Sequence, residues 1–514
     1  MAILEHPAAT AAERAAGATR ARPRVVAPWI GLGVALMTYI GAGIPSYWGD
    51  EAASVMSAQR PWSSLASELS TVDAVHGMYY ALLHLWVGVF GTGEWSTRAL
   101  STIGIGFLAA GVVVLGRRWF DQRTAILAGL LIAVIPRASL LAIEARGYSI
   151  AAAAAVWLTI LFVQLVDRDA RRRAWIGYGI AVAVSGTFFL YLLMMPVVHF
   201  VALRTRRERT SARVVRRWLT SLAIAAPLSV PIVVVSQFQK GQIAFLAHRS
   251  YVTPAGVVVT PWFGHLPVAL VMWPLLILGA LVLARASRRG DTRAEGFLPV
   301  LTWLLLPAFA LILFDLLVSP VYNPRYLSFS LAAVALLISA GVWAVLDAAR
   351  RIGARNAMAA AVIVLTAVAA VTVVPEFVRQ RTPFAKDGGA DFRAAAAEVG
   401  EHARPGDTVL FGITSRNSRA PRLAYRLYPG DFAGLRDPQL ITAYDRTNGL
   451  WDRLATVSDV ARGLSSDTVW LLESGSTGSS KADLAALQAA GFTRTARTHI
   501  HRTVVYEFQK GKQS

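Results

Sequence analysis

The sequence has no cysteine, and charged side chains are scarce. Without a thiol there is no disulfide framework, no thiolate metal site and no cysteine nucleophile, and the redox character of the compartment stays open. Charged residues make up 16% of 514 positions, against about 25% in a typical soluble chain. Acids are the scarcer sign, 31 against 51 bases, for a net charge of +20. A chain so poor in charge, 55% hydrophobic and with a mean hydropathy of +0.48, is built largely for lipid. The positive charge does not point to nucleic acid, because the bases fall in short clusters between apolar runs and not on one amphipathic face. No internal repeat is visible.

What is there instead is a series of long apolar runs. A bilayer span needs about 20 such residues, and candidates run over 25–44, 99–116, 124–141, 148–166, 175–193, 194–203, 218–236, 266–284, 297–318, 326–347 and 357–375, the sixth being short. The first follows Arg20, Arg22 and Arg24 but has no small-x-small cleavage site before Pro45, so it reads as a retained span and not a signal peptide. Basic clusters occupy every second connection: Arg20 to Arg24, Arg117, Arg118 and Arg123, Arg171 to Arg173, Arg204 to Arg217, Arg285 to Arg293, and Arg350 to Arg355. Counting about eleven spans puts all of them on the cytoplasmic side by the positive-inside rule. The expected fold is thus an α-helical polytopic membrane protein, multi-pass in the plasma (inner) membrane. Residues 1–24 form a disordered cytoplasmic N-terminus, residues 25–375 the transmembrane domain, and residues 376–514 a soluble α/β domain on the extracytoplasmic side. In that last domain the pattern predicts helices at 391–402, 450–462 and 481–490 and strands at 408–412, 468–472 and 503–508.

The unusual residues lie in the connections this orientation leaves outside. The long first loop, 45–98, opens with Y-W-G-D-E-A-A-S, placing Asp50 and Glu51 just beyond the first span. Carboxylates at the edge of hydrocarbon are costly unless they serve a polar cavity or pair with a cation. Further along, Val72 to Trp86 reads as an amphipathic helix too short to span, suited to the interface plane, with Tyr80 and Trp86 at headgroup level and His76 placed to meet a phosphate. The next outer turn, A-I-E-A-R-G-Y-S, sets Glu144 and Arg146 two apart, where they suit an ion pair, and ends on Tyr148. The last, S-P-V-Y-N-P-R-Y, puts Arg325 between Tyr322 and Tyr326 at the mouth of a span, where a guanidinium fork suits a phosphate. Lys240, Gln242 and His248 are further contacts in the connection 237–265. The acids also suit a divalent cation through oxygen ligands, and no ligand spacing is diagnostic of one.

Taken together, W-G-D-E-A-A-S at 48–54, D-A-V-H-G-M-Y-Y at 73–80, E-A-R-G-Y at 144–148 and P-R-Y-L-S-F-S at 324–330 resemble the glycosyltransferases of the C superfamily (GT-C). The resemblance covers residues 25–375. It is to the branch around protein O-mannosyltransferases, lipid A aminoarabinose transferases and actinobacterial envelope mannosyltransferases. It implies transfer of a sugar, mannose before arabinose, from a polyprenyl-phosphate donor to an envelope glycan or lipoglycan at the outer face, with inversion. It makes Asp50 the base, and Glu51, His76, Tyr79, Glu144, Arg146, Tyr148, Arg325 and Tyr326 the residues around substrate and donor phosphate. Two other readings stand beside it: a transporter or lipid flippase using the intramembrane Asp315, against which no inverted repeat is found, and a noncatalytic glycan-binding assembly subunit.

Overall fold

The computed structural model describes residues 26–206, 210–353, 356–475 and 479–511. The expected disordered segment 1–24 and its arginines lie outside the described residues.

Every apolar run folds as helix. Among the described residues seven helices are long and apolar enough to cross a membrane by length and composition: Glu94–Trp119, Tyr148–Asp167, Ala212–Phe238, Leu266–Arg288, Thr292–Leu317, Pro324–Arg351 and Ala357–Arg379. The run 124–141 is not straight: Gln122–Leu131 and Pro136–Ala142 meet at 57°, and counting them as one span makes eight. Pro136, at the N-terminus of the second piece, has no N–H to continue the ladder. The remaining runs give shorter helices, Val26–Tyr39, Arg172–Phe188 and Met195–Thr205. The eleven crossings expected from the apolar runs are therefore not all matched by helix length.

Lipid tails are as apolar as leucine, so helices in a membrane associate through close packing at small residues. Leu266–Arg288 and Leu331–Arg351 show this: a Cβ on Gly279 would overlap the Leu337 carbonyl, and one on Gly341 the Leu275 carbonyl.

The segment 45–98 is folded, not a loop. It forms helices Gly49–Gln59, Trp62–Thr71 and Gly77–Phe90. The stretch expected to be helical from Val72 begins only at Gly77, because Asp73 sits in the left-handed region (φ 57°) and leads into a 3₁₀ turn at Ala74–His76. Its two faces are as unequal as the pattern requires: Tyr79, Tyr80 and Leu83 are buried while Leu85, Val89 and Phe90 are exposed.

The C-terminal unit has a four-stranded sheet in the order β1-β4-β6-β5 (β1 Thr408–Phe411, β4 Thr468–Ser474, β5 Phe492–His499, β6 Thr503–Lys510) and a two-stranded ribbon of β2 (Leu440–Thr442) and β3 (Arg453–Leu454). β1 and β4 are parallel, and β6 runs antiparallel to both β4 and β5. Helices Phe392–His402 and Ser479–Ala489 lie where the sequence put them. One expectation fails. Residues 450–462 are no helix but strand β3 followed by the short helix Val457–Ala461, started by a capping box at Thr456 and Asp459. The sequence also missed β5, an edge strand in which Phe492 alone is fully buried, so no apolar alternation marks it.

This unit is not detached from the helices. Ala52 and Met56, on helix Gly49–Gln59, share one core with Phe392, Val409, Phe411, Leu423, Trp470 and Val505. Arg60 pairs with buried Glu68 and donates to the carbonyls of Thr447 (2.9 Å) and Gly449.

Candidate active site

Helix Gly49–Gln59 starts at the extended residue Trp48 and carries Asp50 and Glu51 in its first turn, where free N–H groups and the helix dipole favour negative charge. Successive residues point about 100° apart around a helix, so the two acids face different surroundings.

Glu51 is fully buried. It accepts from Arg98 Nε and Nη2 (both 2.8 Å), the Ala145 N–H (2.8 Å) and Lys386 Nζ (2.9 Å). A carboxylate has about four lone-pair positions, and all four are taken inside the protein. Burial alone would raise its pKa, but Arg98 and then Lys386 hold it at about 2. Lys386 Nζ, held down to about 8 by burial and Arg98 against the pull of Glu51, also donates to the Ile143 carbonyl. Glu51 therefore ties together helix Gly49–Gln59, span Glu94–Trp119, the turn at 143–147 and the segment after the last span. It has nothing left for a substrate, contrary to the expectation that it binds one.

Asp50 is a third exposed, and its Oδ2 accepts from Arg325 Nη1 at 2.6 Å. Arg325 is held by a 3₁₀ turn that begins with the Asn323 side chain accepting the Arg325 N–H, and its guanidinium lies 5.1 Å from the Trp48 ring. Below Asp50, buried Arg146 donates through Nη1 to the Asp50 carbonyl, Ser54 Oγ and Tyr80 Oη (each 3.2 Å), and its Nη2 lies 2.8 Å from His76 Nε2. Tyr80 donates onward to Asp73 Oδ2 (2.7 Å).

Three expectations change here. A guanidinium only donates, so His76 Nε2 must be an acceptor and His76 neutral; the positive charge at this point belongs to Arg146. Glu144 and Arg146 do not pair through their side chains. The bond between them is the backbone contact from Arg146 N to Glu144 O (2.7 Å). Glu144 is buried; burial raises its pKa, against the nearby charges of Arg325 and Lys386. Among the described residues no group of three or more His, Asp or Glu side chains is placed to hold a metal ion, and the first-turn acids are already neutralised by Arg98, Lys386 and Arg325.

Tyr148 and Tyr326 belong to an aromatic wall. Phe189 lies 5.7 Å from Tyr148, 6.1 Å from Tyr326 and 5.3 Å from Tyr191, and Tyr191 lies 5.3 Å from Tyr326. Tyr79 instead packs with Ala58, Leu65, Tyr80, Leu83 and Leu100. Lys240 and His248 stay exposed, and Gln242 reaches only Gln239 (3.4 Å). The sequence reading missed Arg98, Lys386, Phe189, Tyr191 and Arg137, whose guanidinium donates to the carbonyls of Thr260 (2.6 Å) and Pro261 (3.0 Å).

Residues 77–234 match the family described as dolichyl-phosphate-mannose-protein mannosyltransferase. No curated protein matches the sequence. Among solved structures, Cupriavidus metallidurans ArnT bound to undecaprenyl phosphate is similar with a TM-score of 0.56 at 16% identity, covering 93% of this chain and 97% of ArnT. The apo oligosaccharyltransferase of Archaeoglobus fulgidus gives 0.51 at 13% identity, covering 94% of this chain and 74% of that one. The mycobacterial arabinofuranosyltransferase AftD gives 0.52 at 16%, with 96% of this chain covering 40% of AftD. The fold read from the four motifs is borne out: this chain has the architecture of the GT-C glycosyltransferases.

Proposed function

We propose that the protein is an inverting glycosyltransferase that moves a sugar from a polyprenyl-phosphate donor to a hydroxyl of an envelope glycan or lipoglycan. Asp50 is the general base. The observation that carries this reading is the Asp50–Arg325 pair, partly open and 2.6 Å long, beside the buried Arg146 that donates to the Asp50 carbonyl. Donor phosphate competes for Arg325, and its binding frees the Asp50 carboxylate for the acceptor hydroxyl. The acceptor oxygen attacks the anomeric carbon from the face opposite the phosphate and its proton passes to Asp50. The bond from the anomeric carbon to the phosphate oxygen breaks with its electron pair on that oxygen, where Arg325 and Arg146 meet the growing charge. A phosphate leaves as a stable anion, so no general acid is required.

Mannose is favoured by the family matched over residues 77–234, with arabinose as the competing sugar. The site faces the extracytoplasmic side of the plasma membrane together with the domain 376–514, a reading supported by the placement of the basic clusters.

The test is transfer in detergent from a synthetic polyprenyl-phosphate mannose. Asp50→Asn, with folding intact, abolishes transfer; full activity in that variant sinks the assignment. A flippase needs a sealed compartment, so turnover in detergent also separates the two readings.

A further inference from the structure

A cavity lies away from the Asp50–Arg325 pair. It is small, about 130 Å³, and sits in the C-terminal unit against helix Gly49–Gln59. Its lining includes Met56, Asn417, Arg422, Arg426, Trp451 and Asp452. It opens past the end of β1, in the stretch that follows Phe411, next to the parallel pair β1 and β4. The crevice beyond the carboxyl ends of parallel strands is where open α/β sheets bind ligands.

The charges here cancel. Arg422 pairs with Asp437 (2.7 Å) and Asp452 (2.7 Å), and Arg426 with Asp452 (2.8 Å). Two guanidiniums against two carboxylates leave nothing to hold a phosphate or another anion. Asp452 is also saturated, because its oxygens accept from Arg422 Nε, Arg426 Nε and Nη2 and the Tyr444 N–H. Arg422 Nη1 and Nη2 and both Asp437 oxygens are buried without a hydrogen bond, so Arg422 and Asp437 are held to each other as an ion pair. A wall that combines an indole, a methionine side chain and the amide of exposed Asn417, with its charges balanced, suits a ligand with an apolar ring face and hydroxyls.

An extended peptide is the poorer fit, because the outer edge of β1 is already used. Val409 N donates to the Arg436 carbonyl, Phe411 N to Gln439 Oε1, and Gln439 Nε2 returns a bond to the Phe411 carbonyl. No strand can be added there.

The cavity is also coupled in space to the base. Met56 lies six residues after Asp50 on the same helix, about 9 Å of helical rise. The segment 412–420, which lines the cavity, reaches the helix start: a Cβ on Gly49 would overlap the Ser418 carbonyl.

We propose that this cavity is an acceptor subsite that binds one neutral sugar ring of the acceptor glycan, one or more units away from the hydroxyl that Asp50 activates. This rests on the transferase reading for its purpose, but its binding does not require turnover.

The experiment uses the full chain in detergent carrying Asp50→Asn, so that nothing is consumed. Saturation-transfer NMR is recorded with neutral manno-, gluco- and arabino-trisaccharides, a sulfated trisaccharide and a Ser/Thr-rich peptide. At least one neutral trisaccharide binds, and Trp451→Ala weakens it about tenfold, the scale of one lost aromatic contact. Asn417→Ala, on an exposed loop, weakens it less and guards against a misfolded Trp451 variant. In the active chain, Trp451→Ala raises acceptor KM and leaves donor KM unchanged. The proposal is overturned if no neutral trisaccharide binds, if binding is indifferent to both variants, or if the peptide or the sulfated sugar is what Trp451→Ala releases. Absence of transfer with binding intact would instead overturn the transferase reading alone.

Discussion

Replacing Glu51 by Gln tests whether the buried clamp or Asp50 itself sets the geometry of the first turn. Gln keeps the shape but leaves Arg98 and Lys386 facing each other without an acid. Removing one partner of a buried ion pair costs about 3–5 kcal/mol. Lys386 offers partial relief, because its pKa of about 8 means that shedding its proton near pH 7.5 costs under about 1 kcal/mol. Arg98 has no such exit, so the expected loss is roughly 3 kcal/mol. The pH dependence has a defined sign. The folded pKa of Glu51 is depressed from 4.5 to about 2, so its contribution is fully present above pH 4.5 and is lost as pH falls toward 2. At about 1.4 kcal/mol per pH unit that contribution is again on the order of 3 kcal/mol. Chemical unfolding in mild detergent, followed by tryptophan fluorescence, should show wild type more stable than Glu51→Gln at pH 7 and the gap closing between pH 4.5 and 2. A gap below about 1 kcal/mol at pH 7, or one that widens in acid, would refute the reasoning.

Gly49→Ala should force the Trp48–Asp50 turn and the segment 412–420 apart, at an overpacking cost of about 1–3 kcal/mol; the expected result is transfer reduced more than stability, measured by initial rates beside helical circular dichroism. A reporter enzyme that works only outside the cytoplasm, fused after Gly511, should be active; a cytoplasmic result would remove the proposed orientation and the proposed site together.

The membrane helices were legible because most of the apolar runs are long and many end at charge or proline. The bend at Pro136 was not, since hydropathy sees a run and is blind to a missing N–H within it. In the site, Asp50 and Arg325 could be read because each is a charged side chain just outside an apolar run. Their pairing joins residues 275 positions apart, which no local pattern reports. Sequence proximity misled at Glu144 and Arg146, because the Arg146 guanidinium is taken by Asp50 O, Ser54, Tyr80 and His76, groups far away in the sequence. The same blindness hid Lys386, a single base in a polar segment until the fold buries it.

The bond from Lys386 to Glu51 closes a loop of chain 335 residues long, and this orders the protein's manufacture. While the ribosome is still producing the spans, Glu51 has Arg98 but lacks its second cation. The turn that carries Asp50 also lacks the neighbour at Ser418 that packs on Gly49. The proposed catalytic corner is therefore finished last, when the C-terminal unit docks. On the function proposed above, a chain cut before Lys386 is expected to be silent, and a donor sugar to meet a working site only once that unit is in place.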